Sequence, residues 1–514
     1  MSLPTASDPA PHPPAPSDTA TAGPGLASDV RHATRSALQL GLGLLGSWLI
    51  GMAIRFALPR WLGPEQFGVL QFAEVFATTA MIVTTLGSDT YIRKEVATRP
   101  EHATEFFGGT LFIGTLVGIV VLALALPTLS HFGKSADVLW IVGWVAVAQI
   151  LANINSLYAA LLHAVGAVGG LASLNVVAKV VWALGIVVAI RAGAGLTGIA
   201  QALLVSEVVR GAVLVRLGRQ HVDLTLRVDL AATARMMRLS LPFFVAGVAQ
   251  TIYARIDVSI LSFLANDTEV GWYGAASTIA GLSLLLSPII AWVLLPLSSR
   301  AAARSEADLL EVSRQAMAFV LIIAVPASLG IFLAADELIH LAFGDAFAPA
   351  AASLRIIAPT FLLTYLAMVS ASLLVRLDRA WTVTWISLGG MLISPTLNLL
   401  FVPRFAAHFG TGGAGLGSAT ALTLTECFTA GAMTWTLRSR AFDGPRLRLI
   451  GTTMLLALGI VALDHLLRPL GIWRLPLDAA AYVAAGIALR IIHVPTLIDL
   501  VRGALARRAP VEAT

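Results

Sequence analysis

The chain has 514 residues, of which 57% are hydrophobic and only 12% charged. Its mean hydropathy is +0.83. Charged residues make up about 25% of a soluble domain, so that class is excluded. The net charge of +5 is scattered through short loops, which also excludes a nucleic-acid binder.

Residues 1–30 are rich in Pro, Ala, Ser and Thr. They cannot bury enough apolar area to order themselves. No basic stretch precedes a short apolar core, so no secretory signal is read there, and a disordered cytoplasmic tail is expected. A span needs about 20 apolar residues. Such runs follow at 36–58, 67–90, 105–127, 137–162, 170–190, 195–215, 239–263, 270–297, 315–334, 352–375, 381–402, 414–437, 449–467 and 475–492. Period-2 strand patterns are missing from the sequence. The expectation is an all-α membrane protein with about 14 transmembrane helices. Its parts are an N-terminal six-helix lobe (31–217), a cytoplasmic linker (218–238), a C-terminal six-helix lobe (239–440), two extra helices (441–494) and a tail (495–514). The single cysteine, Cys427, falls in a hydrophobic run and cannot form an internal disulfide.

The cations predict the orientation. Of 34 Lys and Arg residues, 23 fall on one side of this arrangement and six on the other. The positive-inside rule then puts both termini in the cytoplasm. A repeat reinforces the two-lobe reading. WLGPEQFGVLQFA (61–73) parallels LANDTEVGWYGAA (264–276), with Gly68 aligned on Gly271. AGLTGIAQAL (194–203) parallels AGLGSATAL (414–422). Six intervening helices preserve direction, so the repeat is parallel, about an axis along the membrane normal. Chance similarity of Gly- and Leu-rich helices is the alternative.

Every outer loop is short, the longest being about 335–351. The sequence shows no P-loop, HExxH, CxxC or dinucleotide fingerprint. A transporter rather than an enzyme is expected, without cofactor or metal, driven by a gradient of H+ or Na+, the membrane potential, the substrate gradient or a partner.

Four stretches carry a family resemblance. They are RFALPRWLGPEQFGVLQFA (55–73), GSDTYIRKEVA (87–97), YARIDVSILSFLANDTEVGWYGAAS (253–277) and LIHLAFGDAFAPAAASLRIIAP (338–359). Over roughly residues 35–440 the chain resembles the polysaccharide and oligosaccharide flippases. These form a branch of the multidrug/oligosaccharidyl-lipid/polysaccharide exporter superfamily. The resemblance implies two lobes forming a V around a central cavity. It implies a lipid-linked oligosaccharide carried from the cytoplasmic to the periplasmic leaflet of a bacterial inner membrane. Membrane lipids, a glycan polymerase and glycosyltransferases are the partners it implies.

Ionisable groups inside spans are costly and mark function by default. A pyrophosphate headgroup needs cations to leave the membrane surface. Arg255, about 13 Å from the outer end of its span, is the first candidate to hold it. Asp257 sits about 200° further round the same helix and is read as an ion site or an inter-lobe pair. Arg55, Lys179 and Glu74 are the further cavity candidates. Asp257, Glu74 and Glu426 are the candidates for ion coupling. Arg93 and Lys94, beside Asp89, are read as recruiting the headgroup at the inner mouth. Each has a plainer reading: an inter-helix salt bridge for Arg255 and Asp257, snorkelling for Arg55, a topology-setting loop for Arg93 and Lys94. Glu207 and Arg210 are expected to pair along one helix face. Two rivals remain: a drug or metabolite/cation antiporter of the same superfamily, and a non-transporting scaffold, polymerase or ligase.

Overall fold

Lipid offers backbone N–H and C=O groups no partner, so a spanning chain must pair them within helices or a closed barrel. The computed structural model describes residues 24–89, 91, 92, 96, 103–165, 170–221, 228–282, 287–437 and 444–491, and among these there is no strand. The fold is all-α.

The first segment, α1 (Pro24–Met81), is two helical arms joined at Gly63, where φ is 71° and ψ 172°. Only glycine adopts that backbone without strain. Pro64 then opens the second arm, where a missing N–H costs nothing. Ile54 and Leu58 of the first arm pack with Leu70 of the second, so the chain doubles back. A 3-10 turn, Ile82–Thr85, follows. Next come α2 (Ala103–His131), α3 (Ala136–Ala164), α4 (Leu171–Arg191), α5 (Gly195–His221), α6 (Leu230–Leu264), α7 (Asp267–Ala280) and α8 (Ser287–Arg304). Then come α9 (Glu306–Leu333), α10 (Ala335–Phe343), α11 (Ala350–Ile357), α12 (Thr360–Arg376), α13 (Ala380–Phe409) and α14 (Gly413–Leu437). The last pair is α15 (Gly444–Leu467) and α16 (Arg474–Ala488).

Side-chain caps fix several starts, as short polar side chains do when they accept orphan N–H groups. Ser135 accepts from Val138, Asp229 from Ala231 and Ala232, Asn266 from Glu269, and Ser305 from Asp308. Nine helical segments among the described residues are long and apolar enough to cross a membrane. Two of them, Gly46–Thr85 and Arg448–Ala488, run 40 and 41 residues. At 1.5 Å per residue each is about 60 Å long, twice a bilayer core. Each bends back at a glycine of positive φ, Gly63 in one and Gly471 in the other.

Several boundaries differ from the expectation. The first helix starts at Pro24, inside the stretch read as a disordered tail. Within the expected span 270–297, α7 ends at Ala280 and passes into a 3-10 turn at Gly281 and Leu282. The expected span 352–375 is split into α11 and α12 around Pro359. Proline removes a backbone donor and clashes with the preceding turn. The expected loop 335–351 contains α10 and a 3-10 turn, and buries Ile339, Phe343 and Phe347. Part of the expected linker is helix, since α6 starts at Leu230.

Packing divides the helices into two groups. In the first, α5 packs on α3 and α4, and α1 on α4. In the second, α14 packs on α12 and α13, and α9 on α12. The groups meet where α1 packs on α6 and α7. One core cluster spans that seam: Phe67 and Val75 from α1 lie with Val270, Tyr273, Ile339, Phe343, Phe347 and Leu354. The last pair, α15 and α16, packs on α9 through Leu329, Leu333, Leu456, Ile460 and Tyr482.

Candidate functional site

The seam is tight at the end carrying the two repeat glycines. A Cβ on Gly68 would lie 1.7 Å from the Asp267 carbonyl oxygen, and one on Gly271 1.9 Å from that of Pro64. Glycine lets the two backbones touch there. Lys134, in the turn between α2 and α3, crosses the seam beside them. Its Nζ donates to Ser262 O and Oγ, both at 2.6 Å, and lies 3.9 Å from Asp267. It also sits 4.7 Å from the Phe72 ring centroid and 5.5 Å from that of Phe263. Arg60 at the end of the first arm donates to the carbonyl of Leu341.

Beyond this seal the groups part around a cavity of about 590 Å³. Its walls follow helical periodicity. Ser47, Trp48, Gly51, Met52, Arg55 and Phe56 come from one face of the first arm of α1. Gly274, Ser277, Thr278 and Gly281 come from one face of α7, and Thr360 and Thr364 from one face of α12. Lys179 enters from α4, and Arg255, Asp257 and Val258 from α6. Four expected site residues, Arg55, Lys179, Arg255 and Asp257, therefore border one chamber, although up to 200 residues separate them.

Their electrostatics are unequal. Arg55 and Arg255 are exposed, and neither makes a salt bridge or hydrogen bond among the described residues. Lys179 is half-buried, with Nζ 4.7 Å from the Trp182 ring centroid, a cation–π contact. Charged neighbours of Lys179 are Glu74, Arg55, Glu207 and Arg210. Asp257 is only 7% exposed and accepts a hydrogen bond from Tyr273 Oη. One oxygen of the Asp257 carboxylate is thus held by Tyr273 of α7, and Arg255 is its charged neighbour. The chamber thus presents three cations against one carboxylate engaged by a phenol.

Glu74 lies behind the wall, in a recess shared with Arg55 and Gln71. Glu426 is also behind the wall. It accepts from Tyr253 Oη at 2.6 Å and from Thr364 Oγ1 at 3.4 Å, and Thr364 borders the chamber. Arg93 and Lys94 lie outside the described residues. Glu207 and Arg210 pair at 3.4 Å as expected, and Asn155 also donates to Glu207 at 2.9 Å.

Charge-first reading of the sequence passed over the neutral polar residues. Gln71 is 8% exposed and borders the chamber; Tyr253, Tyr273 and Thr364 hold the carboxylates. The available signal was rarity, since Gln and Tyr inside apolar spans must find partners when buried. Glu269 was missed as well. It is buried and accepts from Gly412 N at 2.6 Å and Gly415 N at 3.0 Å, closing the amino end of α14.

Solved structures share this two-group helical bundle around a chamber. The inward closed conformation of the lipid II flippase MurJ superposes with a TM-score of 0.65 at 11% identity, covering 88% of this chain and 99% of that one. An inward-facing multidrug resistance MATE family transporter of the MOP superfamily gives 0.60 at 16% identity, covering 79% and 98%. Residues 33–302 match the family described as Polysaccharide biosynthesis protein, and the chain belongs to that family. A curated relative from Haloferax volcanii, named "Probable low-salt glycan biosynthesis flippase Agl15", is 22% identical over 403 residues, 77% of this chain and 82% of its own length. The chain is a multi-pass membrane protein of this family, with a fold that MurJ and the MATE transporter share.

Proposed function

We propose that this protein is a flippase for a polyprenyl-pyrophosphate-linked oligosaccharide, carrying it from the cytoplasmic to the periplasmic leaflet for surface polysaccharide assembly. One observation carries the reading: Arg55, Lys179 and Arg255 border one chamber whose lining holds a single carboxylate, Asp257, with Glu74 in the recess behind Arg55. Such a surplus of positive charge selects an anion. A guanidinium binds phosphoryl oxygens through a planar fork of donors. A volume of about 590 Å³ lies within the range of roughly 300–1,000 Å³ usual for small-molecule sites. It suits a pyrophosphate with its first sugars, the polyprenyl tail remaining in lipid. Ser277, Thr278, Thr360 and Thr364 offer hydroxyls to those sugars. The family membership and the name of the archaeal relative support the same substrate class.

Transport would proceed by alternating access, with the units 31–217 and 239–440 rocking about the seam. Asp257, Glu74 and Glu426 are the carboxylates proposed to couple H+ or Na+. The setting is the bacterial inner membrane with both termini cytoplasmic, next to glycosyltransferases and a glycan polymerase. A cationic-drug antiporter fits the charge balance poorly, since it needs free carboxylates where this chamber has free cations.

Replacing Arg255 with Ala is expected to cut translocation of the lipid-linked saccharide by roughly 10- to 100-fold. That is the rate equivalent of losing a charged hydrogen bond of about 1.5–3 kcal/mol. Insertion and expression should be unchanged. Normal export by Arg255→Ala, Arg55→Ala and Lys179→Ala proteins would overturn the assignment.

A further inference from the structure

A second charged site lies away from the chamber, where the last helix pair meets α9 and α10. Arg474, at the start of α16, is its centre. Its Nε donates to Asp464 Oδ1 at 2.7 Å and its Nη1 lies 2.8 Å from Glu337 Oε1. Its Nη2 donates to the Leu333 carbonyl at 3.2 Å. One guanidinium thus ties α15 to the junction of α9 and α10. Asp478 follows one turn after Arg474. It is 2% exposed, and neither of its carboxylate oxygens meets a donor among the described residues. Glu337 Oε2 is buried without a donor too.

Asp478 lies within hydrogen-bonding reach of Asp464. Two ionised carboxylates only accept, so they cannot bond to each other. A proton on either one turns the contact into a hydrogen bond and removes a repulsion between like charges. Charge counting points the same way: three carboxylates, Glu337, Asp464 and Asp478, share Arg474. The cation on α11, Arg355, is engaged by Asp336 of α10. Arg468 and His465 are exposed on the wall of a cavity of about 640 Å³ that Glu337, Asp464 and Arg474 also line. On α16 itself, the buried Tyr482 hydroxyl has no hydrogen-bond partner among the described residues. The α9 residues here, Leu329 and Leu333, carry no charge. No group of three or more His, Cys, Asp or Glu side chains among the described residues is placed to hold a metal ion.

We propose that Asp464 and Asp478 bind one proton between them, and that this proton holds the C-terminal helix pair against the α9–α10 junction. The site is separate from the chamber and does not depend on the substrate assigned to it.

The test is thermal unfolding of the purified full-length protein in detergent across a pH series. An unfolded Asp releases its proton near pH 3.9. A folded state that keeps the proton therefore loses stability as pH rises. The wild type should melt lower as pH rises through the acid and neutral range. Asp478→Asn, whose amide donates to Asp464 without a proton, should flatten that slope and melt higher than wild type at the alkaline end. An unchanged slope in Asp478→Asn, or no slope in the wild type, overturns the proposal. So does a wild-type midpoint that rises with sodium at fixed pH. If the variant does not fold, infrared spectroscopy of the wild type decides. A protonated-carboxyl band that bleaches as pH rises supports the pair, and its absence overturns it.

Discussion

Lys134 shows how one residue takes on a role its position in a loop conceals. Counted by sequence it is one of a few cations on the sparse side of the membrane. Folded, it is the bridge over the seam, bonded to Ser262 and set beside Asp267. Burial holds its ammonium below the ordinary value of 10.5, and Asp267 partly opposes that shift. In the window just below 10.5 the unfolded chain therefore binds more protons than the folded one, and this group makes stability rise with pH. Lys134→Met is expected to remove that alkaline increment from a melting curve taken in detergent. An identical alkaline slope in both proteins would contradict the burial of the ammonium. Glu269 illustrates the complementary case. A carboxylate in the first turn of α7 also caps α14, so one negative charge serves two positive helix ends.

The crossing of α1 with α7 depends on the glycines at the scale of the element. An alanine at 271 would put its methyl carbon 1.9 Å from the Pro64 carbonyl oxygen. Backbone cannot move aside as a flexible side chain would, so the helices must separate, at a cost of about 1–3 kcal/mol. Gly271→Ala is accordingly expected to open this end. A cysteine at Ser262, now 3% exposed, should react with a membrane-impermeant maleimide in the Gly271→Ala protein and stay protected in the parent, with Cys427→Ser as background. Equal protection in both would mean that the glycines do not control the seal. The end of α7 at Ala280 and the split between α11 and α12 belong to the same scale. Chamber residues cluster at those breaks, with Gly281, Leu282, Ile357 and Thr360 on its wall. Interrupted helices in membrane proteins are tolerated where they line a cavity.

At the scale of the whole molecule, alternating access requires the sealed end to open once per cycle. Arg60 and Leu341 touch across that end and both are exposed. With cysteines at both positions, a short reducible cross-linker is expected to arrest translocation, and reduction to restore it. Full-rate transport by the cross-linked protein would exclude motion of the two groups at this end.

Position by position, the residues already specified the lipid environment, the helical class, the repeat glycines and four embedded charges. The reason is that hydropathy and the cost of a charge in oil are local quantities, legible at each position. Arg55, Lys179, Arg255 and Asp257 stood out without any knowledge of their neighbours. Which partners these charges take came from packing. It gave Tyr273 to Asp257, Tyr253 to Glu426 and Trp182 to Lys179, and left both arginines open to the chamber. It also turned Glu269 and Arg474 into ties between distant helices. Partnership is a property of pairs brought together by packing across tens to hundreds of residues, and no single span records it.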